Sequence, residues 1–291
     1  MTRHDWLDAI DITKPNVARV YDYFVGGKDN FAADRDFADQ AMRIAPKAPL
    51  AARANREFLR RVIRFLVGPA GITQLIDIGS GLPTAGNVSE VAHSVNPDVR
   101  VVHVDNDPVV YTHSKALLTD QRTTDIVLGD IRRPQEILDD PVVGKLIDFG
   151  RPVGLVLLAV LHHLADSEEP AAIADALRSA MPPGSHVAIS SFRMPGHELP
   201  ELRAVTMEGE RLLAGRLGSG RWREEAEIAT WFGDWDLVPP GLVPLLEWRP
   251  PVRSAIERDE TYHSFYGGVA RKPALPGVTQ SPVLYRALAR P

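Results

Sequence analysis

Hydrophobic positions in the first quarter of the chain repeat at helical spacing, and from residue 73 they shorten to strand-length runs. Val17, Val20, Tyr21 and Phe24 fall on one helical face behind the start signal of Thr13 and Pro15, and Gly26-Gly27 stops that helix. Further helical stretches cover about 32–44 and 50–67, the latter with Phe58, Leu59, Val62, Ile63 and Leu66 in register. Five apolar runs, 73–78, 99–104, 125–128, 152–160 and 185–190, then read as strands, with helical stretches at 85–95, 108–118 and 169–181. The fourth run is almost wholly apolar, as expected for a strand buried on both faces. Strands alternating with helices predict a doubly wound α/β fold with a mostly parallel sheet and right-handed crossovers.

After the fifth strand, 198–217 and 224–232 read as helices. The run 236–243 carries Pro239-Pro240-Gly241 and so makes an interrupted or edge strand at most, while 261–270 reads as the last strand. The expected organisation is a helical cap at 1–67 opening on a loose leader at 1–12, then a core at 68–272 with a helical insert at about 198–232. An extended tail follows at 273–291, where four prolines interrupt any pattern.

Composition narrows the class. The chain has 291 residues, 44% hydrophobic and 24% charged, enough to bury a large core, so disorder is excluded as the default. It has no cysteine, which excludes a disulfide scaffold, thiolate-held zinc or iron–sulfur and a thiol nucleophile. A net charge of −5 offers no footprint for nucleic acid. No apolar run approaches the roughly 20 residues of a membrane helix, and the amino terminus lacks the pattern of a signal peptide. The expectation is a soluble cytoplasmic protein acting on a small molecule, without nucleic-acid or membrane partners, its oligomeric state open.

Candidate chemistry collects where the strands end. The first strand ends in Asp77-Ile78-Gly79-Ser80-Gly81, the second in Asp105-Asn106-Asp107, the third in Asp130-Ile131 and the fourth in His162-His163. Singly, each reads as a tight turn or a helix cap; together, at successive carboxyl ends of a parallel sheet, they specify one crevice. Glycines at 79 and 81 let ligand atoms approach the backbone. Asp105, roughly two dozen residues on, is placed to accept from both hydroxyls of a ribose. Asp130 can accept from an exocyclic amine and the Ile131 amide can donate to a ring nitrogen, which together point to an adenosine-containing ligand. The dinucleotide pattern G-x-G-x-x-G fails at its third position, where Thr84 stands.

The remaining acidic pattern resembles class I S-adenosylmethionine-dependent methyltransferases, where D-x-G-x-G is the first motif. Longer strings carry the likeness further: ITKPNVARVYDYFVGGKDNFAADR at 12–35, ANREFLRR at 54–61, IDIGSGLPTAGNVSEVA at 76–92, VVHVDNDPVV at 101–110, AVLHHL at 159–164 and LVPPGLVPLLEWRP at 237–250. They resemble an actinobacterial S-adenosylmethionine-dependent methyltransferase family of unassigned substrate, over about residues 11–272. The resemblance implies a seven-stranded Rossmann-like sheet and S-adenosylmethionine as cofactor, bound through Asp77, Gly79, Gly81, Asp105, Asn106, Asp130 and Ile131.

Three further groups are candidates. Tyr21 and Lys28 lie at a helix end of the cap and Arg53, Asn55 and Arg56 on a later helix, where a guanidinium suits the methionine carboxylate of the cofactor or an acidic substrate, the plain alternative being ordinary salt bridges. His162 and His163 are candidate general bases toward the acceptor, and adjacent ring orientations argue against a shared metal. Met207, Trp222 and Trp231 are candidates for lining the acceptor pocket. The function expected is methyl transfer to an O, N or C nucleophile. A binding protein sensing the cofactor or its demethylated product stays open, as does a nicotinamide-dependent dehydrogenase.

Overall fold

A computed structural model describes residues 11–120, 122–218, 220–250 and 258–274. Three helices come first: α1 (Val17–Val25), α2 (Ala32–Ile44) and α3 (Ala48–Val67). The sheet region follows as β1 (Gln74–Ile78), α4 (Val88–Val95), β2 (Arg100–Asp105), α5 (Pro108–Leu117), β3 (Thr124–Leu128), α6 (Pro134–Leu138), α7 (Pro141–Leu146), β4 (Gly154–Leu158), α8 (Pro170–Ser179) and β5 (His186–Phe192). Then come α9 (Pro200–Leu217), α10 (Glu225–Thr230), β6 (Asp236–Leu237), β7 (Val243–Pro244), α11 (Glu260–Ser264) and β8 (Phe265–Arg271).

The strands run in the order β3-β2-β1-β4-β5-β8-β6, with β7 also paired to β8. β1 to β5 are mutually parallel and β8 is antiparallel to β5, so the sheet is mostly parallel as expected. It has eight strands, not seven. The expected strand at 236–243 is split, because two prolines without N–H groups and Gly241, at φ +97°, interrupt pairing between β6 and β7. The expected strand at 261–270 begins as helix, because the Asp259 side chain accepts from Tyr262 N–H and caps α11 before β8 starts at Phe265. Most of the expected leader (1–10) and tail (275–291) lies outside the described residues.

Alternation along each strand feeds two cores. Ile76, Ile78, Leu155 and Leu157 face α6, α7, α8 and α10 through Ile137, Val143, Leu177 and Trp231. Leu75, Val156 and Leu158 face the other way, onto Phe58, Val62 and Leu66 of α3 and Val88 and Val91 of α4. Trp248 closes this second core edge-on to Phe58 and Phe65, at 5.5 and 5.8 Å between centroids. α1 and α2 are locked together by Arg19 and Asp34, both buried, with Arg19 Nε donating to the two Asp34 oxygens at 3.0 and 3.2 Å. Among the described residues no helix is long and apolar enough to cross a membrane, and no group of three His, Asp or Glu side chains is arranged to hold a metal.

Candidate active site

Strand order reverses between β1 and β4, and the crevice of an open α/β sheet opens at that point. Here it is a cavity of about 470 Å³ between the carboxyl ends of β1, β2, β3, β4 and β5 and a roof of α1, α2, α3 and α9.

At the β1 tip, Gly79 and Gly81 take φ of +74° and +66°, the left-handed region that a side chain resists. A Cβ on Gly79 would also lie 2.8 Å from Val160 Cγ2, so glycine is required there twice over. Gly81 N–H donates to Asp105 Oδ2 at 2.8 Å and Asp107 N–H donates to Asp105 Oδ1 at 3.0 Å. Asp105 thus joins the two strand tips while each oxygen keeps a second acceptor position. It is 8% exposed, and burial pushes its carboxyl up to about 6 against the pull of the two amides. Beside it, Ser80 Oγ and Asp107 Oδ2 are buried without hydrogen-bond partners, on residues that line the cavity. Asp77, also in the wall, accepts from His103 Nδ1 at 2.9 Å.

Hydrogen bonds run from the cap to the floor of the cavity. Tyr21 Oη donates to Ala52 O at 2.9 Å and accepts from Asn55 Nδ2 at 3.3 Å. Ser190 Oγ donates to Asn55 Oδ1 at 2.7 Å and accepts from Ala159 N–H at 3.0 Å. Ala159, at the β4 tip, is held at φ +56°, a strained value for a non-glycine residue.

His162 stacks on Phe192 at 3.8 Å between centroids, and Phe192 stacks on Trp222 at 4.4 Å. Phe192 N–H donates to His162 Nδ1 at 3.2 Å, which places the ring proton on Nε2. Burial, with His163 and Arg223 adding to it, holds His162 neutral, well below the ordinary histidine range. With Nδ1 taken up by the Phe192 amide, His162 is left with a protonated Nε2. His163 lines the same cavity, is half-buried and is held down to about 4 by burial. Its Nδ1 is buried without a partner, which leaves Nε2 as the nitrogen toward the cavity.

Of the residues singled out in the sequence, Tyr21, Asp77, Gly79, Gly81, Asp105, Asn106, Ile131, His162 and His163 line this one cavity. Three do not. Arg53 is exposed, because the cavity face of α3 runs through Ala52, Asn55, Arg56 and Leu59, and residue 53 lies about 100° off that line. Arg56 takes its place, donating to Thr84 Oγ1 at 2.6 Å and lying over the Tyr21 ring. Lys28 is exposed beyond the Gly26-Gly27 turn, and the residue brought into the wall is Asp22, whose Oδ2 accepts from Asp29 N–H and Asn30 Nδ2. The Asp130 carboxylate turns to the Arg132 guanidinium at 3.0 Å, while its neighbours Gly129 and Ile131 form the wall. In the insert Trp222 lines the cavity, but Trp231 belongs to the sheet core and Met207 points to solvent. Phe192 and α11 were not marked in the sequence, since an aromatic at a strand end and a five-residue helix carry no signal of their own.

A parallel β3-β2-β1-β4-β5 sheet completed by an antiparallel strand, with a glycine turn after β1 and an acid after β2, defines the Rossmann-like fold of S-adenosylmethionine-dependent methyltransferases. The chain belongs to the S-adenosyl methyltransferase family, whose sequence model matches residues 3–273. It is 42% identical to a candidate methyltransferase from Thermobifida fusca, at TM-score 0.84, with 91% of this chain and 97% of that one covered. A DUF574 family protein from Streptomyces avermitilis is 37% identical at TM-score 0.83, with 90% and 100% covered. An O-methyltransferase family protein from Burkholderia thailandensis, 13% identical at TM-score 0.51 over 90% of this chain and 65% of that one, shares the fold alone. Among curated proteins none matches.

Proposed function

We propose that the enzyme transfers the methyl group of S-adenosylmethionine to a nucleophilic atom of a small molecule, with the cofactor lying across the tips of β1, β2 and β3 and the acceptor over β4, β5 and the cap. The observation that carries this is Asp105. It is a buried carboxylate with one acceptor position left on each oxygen, one strand away from a glycine turn that no side chain can fill. Two ribose hydroxyls fit those positions, and the partnerless Ser80 Oγ offers a further contact. When bound, the sulfonium of the cofactor supplies an already activated methyl group. What remains for the protein is positioning and exclusion of water. In this reading Gly79 and Gly81 admit the methionine portion beside the backbone, Ile131 packs on the adenine, and Arg56 meets the methionine carboxylate. Asp77 and His103 hold the turn, and Asn106, exposed beside Asp105, flanks the ribose. His162 donates from Nε2, and His163, neutral with a cavity-facing nitrogen, receives the acceptor's proton.

Calorimetric titration with S-adenosylmethionine, S-adenosylhomocysteine and NAD in parallel tests the reading. Saturable binding of the first two without a response to NAD is expected. Binding of NAD alone, or of none of the three, would overturn it. Tight cofactor binding without turnover on any acceptor would favour a sensor.

A further inference from the structure

Away from the strand tips the cavity changes character. α9 has 18 residues, of which only Thr206 is buried, so the helix is not packed down on the sheet. Its half-buried Leu202, Val205 and Leu213 line the cavity, while Met207 and the charged Glu208 and Arg211 turn to solvent. Phe24, Phe37 and Ala41 of α1 and α2 line the same chamber, with Leu213 packed against their cluster and Leu202 and Val205 left to the cavity. An apolar helix face turned into a cavity is a wall made for an apolar occupant. At the floor stand the flat rings of the His162–Phe192–Trp222 stack, within 17° of parallel in each pair.

Of the lining hydroxyls described at this end, those of Thr206 and Ser264 are spent on the Arg203 and Glu260 carbonyls. Trp222 Nε1 is buried with no partner, and His163 lies on the other side of Phe192, at 6.3 Å between centroids. The first can only donate; the second, at its cavity-facing nitrogen, is available to accept. Among the described residues, charges at this end give no counter-ion to an anion. Lys47 closes on Asp259 at 3.2 Å, while Arg56 and Arg132 sit at the cofactor end with Thr84 and Asp130. A cation fares no better on the floor, where burial already disfavours the protonated form of both histidines. Asp22 spends Oδ2 on Asp29 and Asn30 and keeps a buried, partnerless Oδ1, but burial favours its neutral form, and Glu260, in the first turn of α11, is the half-exposed carboxylate that a cation would have to find.

We propose that the acceptor is an uncharged, largely apolar phenol, seated between the inner face of α9 and the aromatic stack with its hydroxyl at His163. This rests on the cofactor reading above. The reaction balances without a further reagent. The phenolic oxygen forms its bond to the methyl carbon, and the carbon–sulfur bond breaks with its electron pair returning to sulfur. The phenolic proton passes to the cavity-facing nitrogen of His163 and then to water. Trp222 Nε1 donates to an oxygen of the same molecule, and the flat stack favours a planar ring.

The test uses the full chain saturated with S-adenosylhomocysteine and three probes of one shape: 1-naphthol, 1-naphthoate and 1-naphthylmethylammonium, followed by calorimetry. Naphthol is expected to bind, and each charged probe to bind at least about tenfold more weakly. With S-adenosylmethionine instead, naphthol should be converted to its methyl ether. Val205→Glu puts a charge on the loosely packed α9 face and should abolish naphthol binding while leaving S-adenosylhomocysteine affinity unchanged. Equal affinity for a charged probe, no saturable naphthol binding to the loaded protein, or indifference to Val205→Glu would overturn the acceptor class while the cofactor reading stands. Failure of S-adenosylhomocysteine itself to bind would instead overturn the cofactor reading and this inference with it.

Discussion

Replacing Asp105 by asparagine separates what the carboxylate does for the fold from what it does for the ligand, and the two effects have opposite sign. Its pKa rises from 3.8 to about 6 on folding. At about 1.4 kcal/mol per pKa unit, ionised Asp105 costs the ligand-free fold about 3 kcal/mol at pH 8. The folded state holds a proton that the unfolded chain has released between about pH 4 and pH 6. The stability contributed by Asp105 is therefore full below that window and lost as pH rises through it. The Asp105→Asn variant loses this dependence, but its amide nitrogen can accept from neither Gly81 nor Asp107, so one of the two backbone hydrogen bonds is lost, at about 2 kcal/mol. The variant should be about 1 kcal/mol more stable than the parent at pH 8 and about 1 kcal/mol less stable at pH 4.5, the curves crossing between about pH 5 and pH 6.

Denaturant unfolding from pH 4.5 to 8 checks the crossing, and calorimetry with S-adenosylhomocysteine checks the other side. Loss of charge-assisted acceptance from two ribose hydroxyls, at about 1.5 kcal/mol each, should weaken binding about 100-fold. The parent's affinity should decline as pH falls below about 6, where Asp105 takes up its proton. A variant that is destabilised equally at both ends of the pH range, or that binds the ligand as tightly as the parent, would refute the reasoning.

Four other substitutions probe separate parts of the fold. His163→Gln should cut methyl transfer at least about tenfold with little change in cofactor affinity or melting temperature, measured by product formation and calorimetry. His162→Ala should instead destabilise by about 2–3 kcal/mol in denaturant unfolding, since it leaves Phe192 N–H without its acceptor and removes a stacked ring. Gly79→Ala meets Val160 in a left-handed conformation, and should lower stability by about 2 kcal/mol or more together with S-adenosylhomocysteine affinity. Asp34→Ala leaves Arg19 buried and unpaired, at about 3–5 kcal/mol, and because the pair joins α1 to α2, hydrogen exchange should quicken in those helices while β1 to β5 keep their protection.

The sheet was legible because its signals are local. Each of β1 to β5 is an apolar run bounded by polar turns, and burial on both faces leaves such a run no other use. The strand-tip end of the cavity was legible for a related reason: a parallel sheet brings all strand ends to one edge, so Asp77, Gly79, Gly81 and Asp105 need only be found at those ends to be known as neighbours. Where a choice depended on helical phase, local reading slipped. Arg53 and Arg56 lie one turn apart, and only packing against Tyr21 and Thr84 shows which of them faces the cavity. Asp130 marks its strand end correctly, yet Arg132 two residues on takes its carboxylate.

The helical end of the cavity is different in kind, because no local pattern distinguishes a wall from a core. Phe24, Phe37 and Leu213 come from three helices spread over nearly two hundred positions, and each has the spacing of an ordinary buried residue. They become a wall because α9 rests on α2 and is not packed down on the sheet. That placement is set by contacts such as Arg223 with Leu164 O and Asp166, both at 2.8 Å, which tie the end of the insert to the loop after β4. A comparably long stretch of chain separates Asn55 from Ser190, whose 2.7 Å hydrogen bond joins the cap to the strained Ala159 at the floor. On the function proposed above, cofactor chemistry is written at strand ends, where the sheet fixes neighbours in advance, and acceptor specificity lies in how helices far apart in the chain are held over those ends, so the same strand-end motifs are compatible with different acceptors.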